Sequence, residues 1–153
     1  MEVLLFEVFA ERCGIAVTEV RSVVRAVAVA RLPGAPPVVE GVIDLRGETV
    51  PVLALRRRFR LPERPLHPDD VFVVARAGAR TVALWVDAAV GMAVVDPAAI
   101  EPAGALVADP GHVAGVARLP DGLLLIHDPA TFLSAAEADR LDAALADRAG
   151  GAA

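Results

Sequence analysis

Apolar residues recur along this chain in short runs, most of them between turn signals. Val3 to Phe9 is an apolar stretch interrupted by Glu7, "AERCG" offers a turn around Gly14, and Ile15 to Val17 would return antiparallel to it. In "TEVRSVV", Val20, Val23 and Val24 stand at helical spacing, which predicts one or two helical turns before an alternating strand from Val24 to Leu32. Pro33 to Pro37 denies the backbone both helix and ladder donors and predicts a surface loop. Strands follow over Val42 to Leu45 and Thr49 to Leu55, linked by Arg46 to Glu48. Leu55 and Phe59 then stand four apart across three arginines, which suits a short amphipathic turn ended by Pro62 and Pro65.

The second half repeats the pattern. "DVFVVARAGARTVALWVD" predicts two strands joined at Ala77 to Ala79, Val90 to Val95 continues the sheet, and "VAGVARLPDGLLLIHD" predicts a hairpin turning at Asp121-Gly122. Ser134 and Glu137 form a capping box ahead of a helix in which Leu141 and Leu145 share a face, and residues 149–153 form a tail that should fray. About ten short strands predict an all-β barrel or sandwich with short helices and a C-terminal helix, one domain over 1–148.

Composition narrows the function. A net charge of -5 opposes a surface built for nucleic acid. Arg56, Arg57, Arg58 and Arg60 form the one basic cluster, and without aromatic platforms beside it a solvated helical face is the better reading. A single cysteine, Cys13, cannot form an internal disulfide and fits a reducing cytoplasm. No run approaches the length of a membrane span, and Glu2 and Glu7 stand where a signal peptide would be basic and then apolar, so neither export nor membrane insertion is expected.

Candidate chemistry is sparse. His67, His112 and His127 lie far apart with no metal-ligand spacing, so no metal site is expected. Ser134, His127 and Asp128 lack the elbow of a nucleophilic serine. Asp69 and Asp70 read as a solvated turn opening the next strand, and Trp85 reads as core filling. No phosphate-cradling glycine loop occurs, so no cofactor is expected. A compact β domain with no catalytic set is expected to work by binding.

One stretch goes further. "GVIDLRGETVPVLALRRRFRLP", Gly41 to Pro62, resembles the signature of the CheW-like family of chemotaxis coupling proteins. "LLFEVFAERCGIAVTEVRSVV", "RTVALWVDAAVGM" and "VAGVARLPDGLLLIHDPATFLS" resemble the family's N-terminal hairpin, Val-Asp-x-Val strand and closing hairpin. The resemblance implies two SH3-like β-barrel subdomains sharing an apolar interface, and no enzymatic activity. It also implies two partners: the cytoplasmic tips of chemoreceptors and the regulatory domain of a CheA-type histidine kinase. A divergent scaffold for a non-flagellar kinase pathway is the alternative. Carried over by position, the partner-binding candidates are Arg46, Gly47, Asp44, Val20 and Gly41. Gly47 permits a positive φ or close backbone approach, and Arg46 offers a guanidinium to a partner's carboxylate or carbonyls. Ser22, Asp44, Ala54 and His127 depart from the pattern, and Asp44 is placed to pair with Arg46.

Overall fold

The structure, a computed structural model, describes residues 1–102 and 113–151. Among them, eleven strands form two sheets, with the order β8-β1-β2-β11-β10-β9 in one and β3-β6-β7-β5-β4 in the other. The first contains β1 (Glu2–Val8), β2 (Glu11–Ala16), β8 (Ala88–Val94), β9 (Ile100–Pro102), β10 (Val113–Leu119) and β11 (Gly122–His127). The second contains β3 (Val20–Arg25), β4 (Val39–Leu45), β5 (Glu48–Ala54), β6 (Val71–Ala77) and β7 (Arg80–Val86). Each sheet curls into a small SH3-like barrel, here barrel 1 and barrel 2, with barrel 2 inserted between the halves of barrel 1. The parallel pairing of β2 with β11 joins those halves, and β5 pairs parallel with β7 in barrel 2.

Three apolar clusters explain why the barrels form one body. Ile43, Val50, Val52, Phe72, Ala83 and Trp85 fill barrel 2. Val3, Val95, Ala117, Leu124 and Ile126 fill barrel 1. The largest cluster lies between them and draws Leu4, Phe6 and Val8 from β1, Leu53 from β5, Val73 and Ala75 from β6, and Val82, Leu84 and Val86 from β7. Alternate residues of a strand point to opposite faces, so β7 sends Ala83 and Trp85 into barrel 2 and the residues between them into the shared layer. The unbroken run "VALWV" records that double burial.

Among the described residues, two α-helices accompany the sheets: α1 (Leu55–Arg58), and α2, which spans Ala135–Gly151. Ser134 and Glu137 form the expected capping box, with the Ser134 amide donating to Glu137 Oε1 at 2.9 Å and the Glu137 amide to Ser134 Oγ at 3.1 Å. Leu141 and Ala144 dock into the shared layer, Leu145 packs at its margin, and α2 continues past position 148 to Gly151.

Several boundaries differ from expectation. The first hairpin turns at Phe9-Ala10, because Val8 pairs with Glu11, and Gly14 lies buried inside β2. "TEVRSVV" contains only a 3-10 turn at Val17–Glu19, and Val20 already opens β3, whose pairing with β6 outweighs the helical spacing of its valines. β3 ends at Arg25, so of the strand expected over Val24 to Leu32 Val24 and Arg25 pair with β6, and beyond them only Ala30 forms a bridge, to Val42.

A shared core should make unfolding one transition. Trp85, the single tryptophan, reports on barrel 2, while far-UV circular dichroism reports on both barrels. Leu84→Ala is expected to cost about 2–5 kcal/mol and to move the urea transitions seen by both probes together.

Candidate functional site

The β4–β5 hairpin turns through Arg46 and Gly47, with Leu45 paired to Glu48, one residue tighter than the expected link. Both turn residues have positive φ, 52° at Arg46 and 84° at Gly47, the geometry of a type I′ turn. Glycine adopts it freely, whereas the Cβ of an arginine makes it costly. Arg46 is exposed and forms no hydrogen bond or ion pair with a described residue. Asp44, also exposed, does not pair with it, contrary to expectation. The nearby Glu48 is taken instead by Arg21, whose Nη1 lies 3.0 Å from its Oε2 and 3.1 Å from Thr81 Oγ1.

Of the five candidates, Asp44, Arg46 and Gly47 share this hairpin. Val20, half-buried at the start of β3 opposite Ala75, lies at the same end of barrel 2. Gly41 is buried at the Ala30 bridge, and a Cβ there would come within 2.2 Å of the Ala30 carbonyl oxygen. It therefore shapes the hairpin from beneath and offers no side chain to a partner.

The opposite end of barrel 2 holds an ionic chain. The three arginines of α1 are not a solvated face: the Arg56 and Arg58 side chains are only 12% and 18% exposed, and each of the three takes a different acid. Arg56 pairs with Asp87 at 2.7 Å, Arg57 with Glu40 at 3.0 Å and Glu63 at 2.8 Å, and Arg58 with Glu137 at 2.5 Å. Burial disfavours the Glu137 charge, but Arg58 and the Ser134 groups prevail and lower its pKa.

Asp70 overturns the solvated-turn reading as well. It is 2% exposed and accepts both prongs of Arg64 at 2.7 Å, the His67 amide at 2.8 Å and the Trp85 indole N–H at 2.9 Å. Burial alone would push its carboxyl upward, yet these donors outweigh it and hold the pKa down to about 2. Trp85 is thus core filling with a polar tether. Arg64 also reaches Asp87 at 3.3 Å, so Arg56, Asp87, Arg64 and Asp70 form one alternating chain. Sequence reasoning missed Arg64, Asp70 and Asp87 as a set. Only Asp87, in the Val-Asp-x-Val segment, carried a signal.

A third surface is apolar. On β8, Val90, Met92 and Val94 are 45%, 59% and 81% exposed, and among the described residues β8 pairs only with β1. Met92 lies opposite Leu4, whose side chain enters the shared layer, so the stripe runs along the rim of that layer.

Among the described residues, several of the candidate chemical groups serve the fold. Asp128 caps a short turn by accepting from the Ala130 amide at 3.0 Å, Ser134 caps α2, and His127 stacks on Phe59 with ring centroids 4.8 Å apart. Burial, with Glu11 nearby, pushes the Cys13 thiol up to about 12. Among the described residues, no group of three or more His, Cys, Asp or Glu is arranged to hold a metal ion; His112 lies outside them. No helix among them is long and apolar enough to cross a membrane.

Two interlocked SH3-like barrels with a strained, exposed arginine turn and an apolar strand edge define the class of this β domain. The model of the CheW-like domain matches residues 2–137, and the chain belongs to the CheW-like family. The chemotaxis protein CheW of Bacillus subtilis is 34% identical over 73 residues, 48% of this chain and 47% of that one. CheW of Klebsiella aerogenes is 27% identical over 92% of this chain and 86% of its own. The chain thus aligns with about half the length of the Bacillus relative and with most of the Klebsiella one. The crystal structure of the scaffolding protein TtCheW from Thermoanaerobacter tengcongensis superimposes with a TM-score of 0.81 at 26% identity, covering 89% of this chain and 94% of that one.

Asp70 generates a pH prediction. Its folded pKa lies below the ordinary value of 3.8, so the stabilisation is complete above about pH 4 and is lost as pH falls toward 2. Asp70→Asn should remove on the order of 2 kcal/mol at pH 7 and flatten the acid limb between those values in urea titrations. An unchanged limb would contradict the assignment.

Proposed function

We propose that this chain is a non-catalytic, cytoplasmic adaptor that couples the tips of chemoreceptors to the regulatory domain of a CheA-type histidine kinase. The observation that carries the reading is Arg46: it stands exposed in a costly conformation and pairs with no described residue. A residue held this way contributes nothing evident to the fold and keeps its full hydrogen-bonding capacity for a carboxylate or carbonyl group on another protein. Membership of the CheW-like family, with relatives named as chemotaxis and scaffolding proteins, supports the pathway.

An adaptor holds two partners at once, which requires surfaces that do not overlap. The Arg46 hairpin lies at one end of barrel 2, and the apolar stripe of β8 lies on barrel 1. A partner helix with one apolar face suits the stripe, since strand side chains two residues apart present a continuous row.

The test is a calorimetric titration with the kinase regulatory domain and with a receptor-tip fragment from the same genome. Arg46→Ala should leave the thermal midpoint within error or slightly raise it, and weaken binding to at least one partner by about tenfold, near 1.4 kcal/mol. Unchanged affinity for both would remove Arg46 from the interface. Absence of binding by the folded wild-type protein to either would overturn the adaptor reading.

A further inference from the structure

Barrel 1 contains a second turn built like the Arg46 turn. Between the paired residues Val8 and Glu11, the chain reverses through Phe9 and Ala10, with φ of 49° and 62°. This is again the type I′ pattern, for which Asn-Gly is the unstrained choice. Neither residue tolerates that region well, and burial does not compensate, because the Phe9 residue is 46% exposed.

The turn is nevertheless held firmly. The Phe9 amide donates to Asp87 Oδ2 at 2.9 Å, and the Arg56 guanidinium carbon lies 5.4 Å from the centroid of the Phe9 ring. Arg56 and Asp87 are themselves paired, so the ionic chain fixes the turn backbone and supports the ring from one side. The remaining ring surface faces solvent. A fixed aromatic with few rotatable bonds loses little entropy on docking, which is the property of an interface anchor.

We propose that Phe9 is a partner-contacting anchor, positioned by Asp87 and Arg56, that inserts into an apolar pocket on the kinase regulatory domain. This rests on the adaptor reading above. A turn tip is convex, so its complement is a concavity on a globular domain and not a helix laid along a groove. The exposed carboxylate of Glu11 beside the turn calls for Lys or Arg at the pocket rim. Phe9 and Arg46 lie toward opposite ends of β7: Thr81 near its start meets Arg21 beside the Arg46 hairpin, and Asp87 follows its last residue. Seven residues of strand separate the two turns by roughly 20 Å, so they contact different regions of a partner or different partners.

The experiment compares wild type, Phe9→Gly and Phe9→Tyr for thermal midpoint and for affinity toward the kinase domain and the receptor-tip fragment. Glycine relieves the turn, so Phe9→Gly should raise the midpoint by about 2–4 °C while weakening kinase-domain binding by about tenfold or more. Receptor-tip binding should stay unchanged, and Phe9→Tyr should bind the kinase domain within about twofold of wild type. A rise in stability together with a loss of binding is a result that a structural role would not produce. Phe9→Gly binding the kinase domain as wild type does, or lowering the midpoint, overturns the proposal while the adaptor reading stands. Failure of the wild-type chain to bind the kinase domain overturns both.

Discussion

Phe6 of β1 and Leu84 of β7 lie in one apolar layer that belongs to neither barrel alone. Its residues come from β1, β2, β4, β5, β6, β7, α1 and α2, so removing either barrel would expose apolar surface on the other. At about 25 cal/mol per Å2 of apolar area, such a layer contributes more than any surface ion pair. The chain path strengthens it. Barrel 2 is inserted between β2 and β8, while β11 returns to pair with β2, so barrel 1 cannot close until both of its halves are present.

With the layer fixed, polar groups work at its ends. At one end, Arg56, Asp87, Arg64 and Asp70 tie α1, the segment 62–68, the end of β7 and the Phe9 turn into one alternating chain. At the other, Arg46 forms no pair with a described residue. The contrast is one of pairing: the arginines of α1 neutralise acids that range from half-buried to exposed, while the hairpin arginine stays exposed. It also explains how an acidic protein with three consecutive arginines presents no basic patch at α1.

Much of this was legible in the sequence. Alternation and turn residues located most strands, the S-x-x-E pair located the start of α2, and the Gly41–Pro62 signature identified the family. The failures have physical causes. A Phe-Ala turn carries no glycine or asparagine, so the first hairpin was expected too late, at Gly14. Valines on β3 mimic a helical period because a register shift between Val20 and Ser22 lets Val20 and Val23, three apart, pair with Ala75 and Val73, which share one face of β6. The arginine cluster and Asp70 were read as solvated because, beyond the local partners Glu63 and Arg64, their partners Glu40, Asp87, Glu137 and Trp85 lie 15 to 79 residues away and meet them only through tertiary packing. Of the candidate site, Arg46 and Gly47 were legible as a motif, but the absence of an internal partner for Arg46 was not, since Asp44 stood two residues away.

We propose that one rigid body offers separate surfaces to two partners. Sedimentation velocity of this chain mixed with the kinase regulatory domain and a receptor-tip fragment tests it most directly. The account predicts a ternary species containing one copy of each, heavier than either binary complex. Two binary complexes that deplete each other as either partner is added, with no ternary boundary at saturating concentrations, would contradict it.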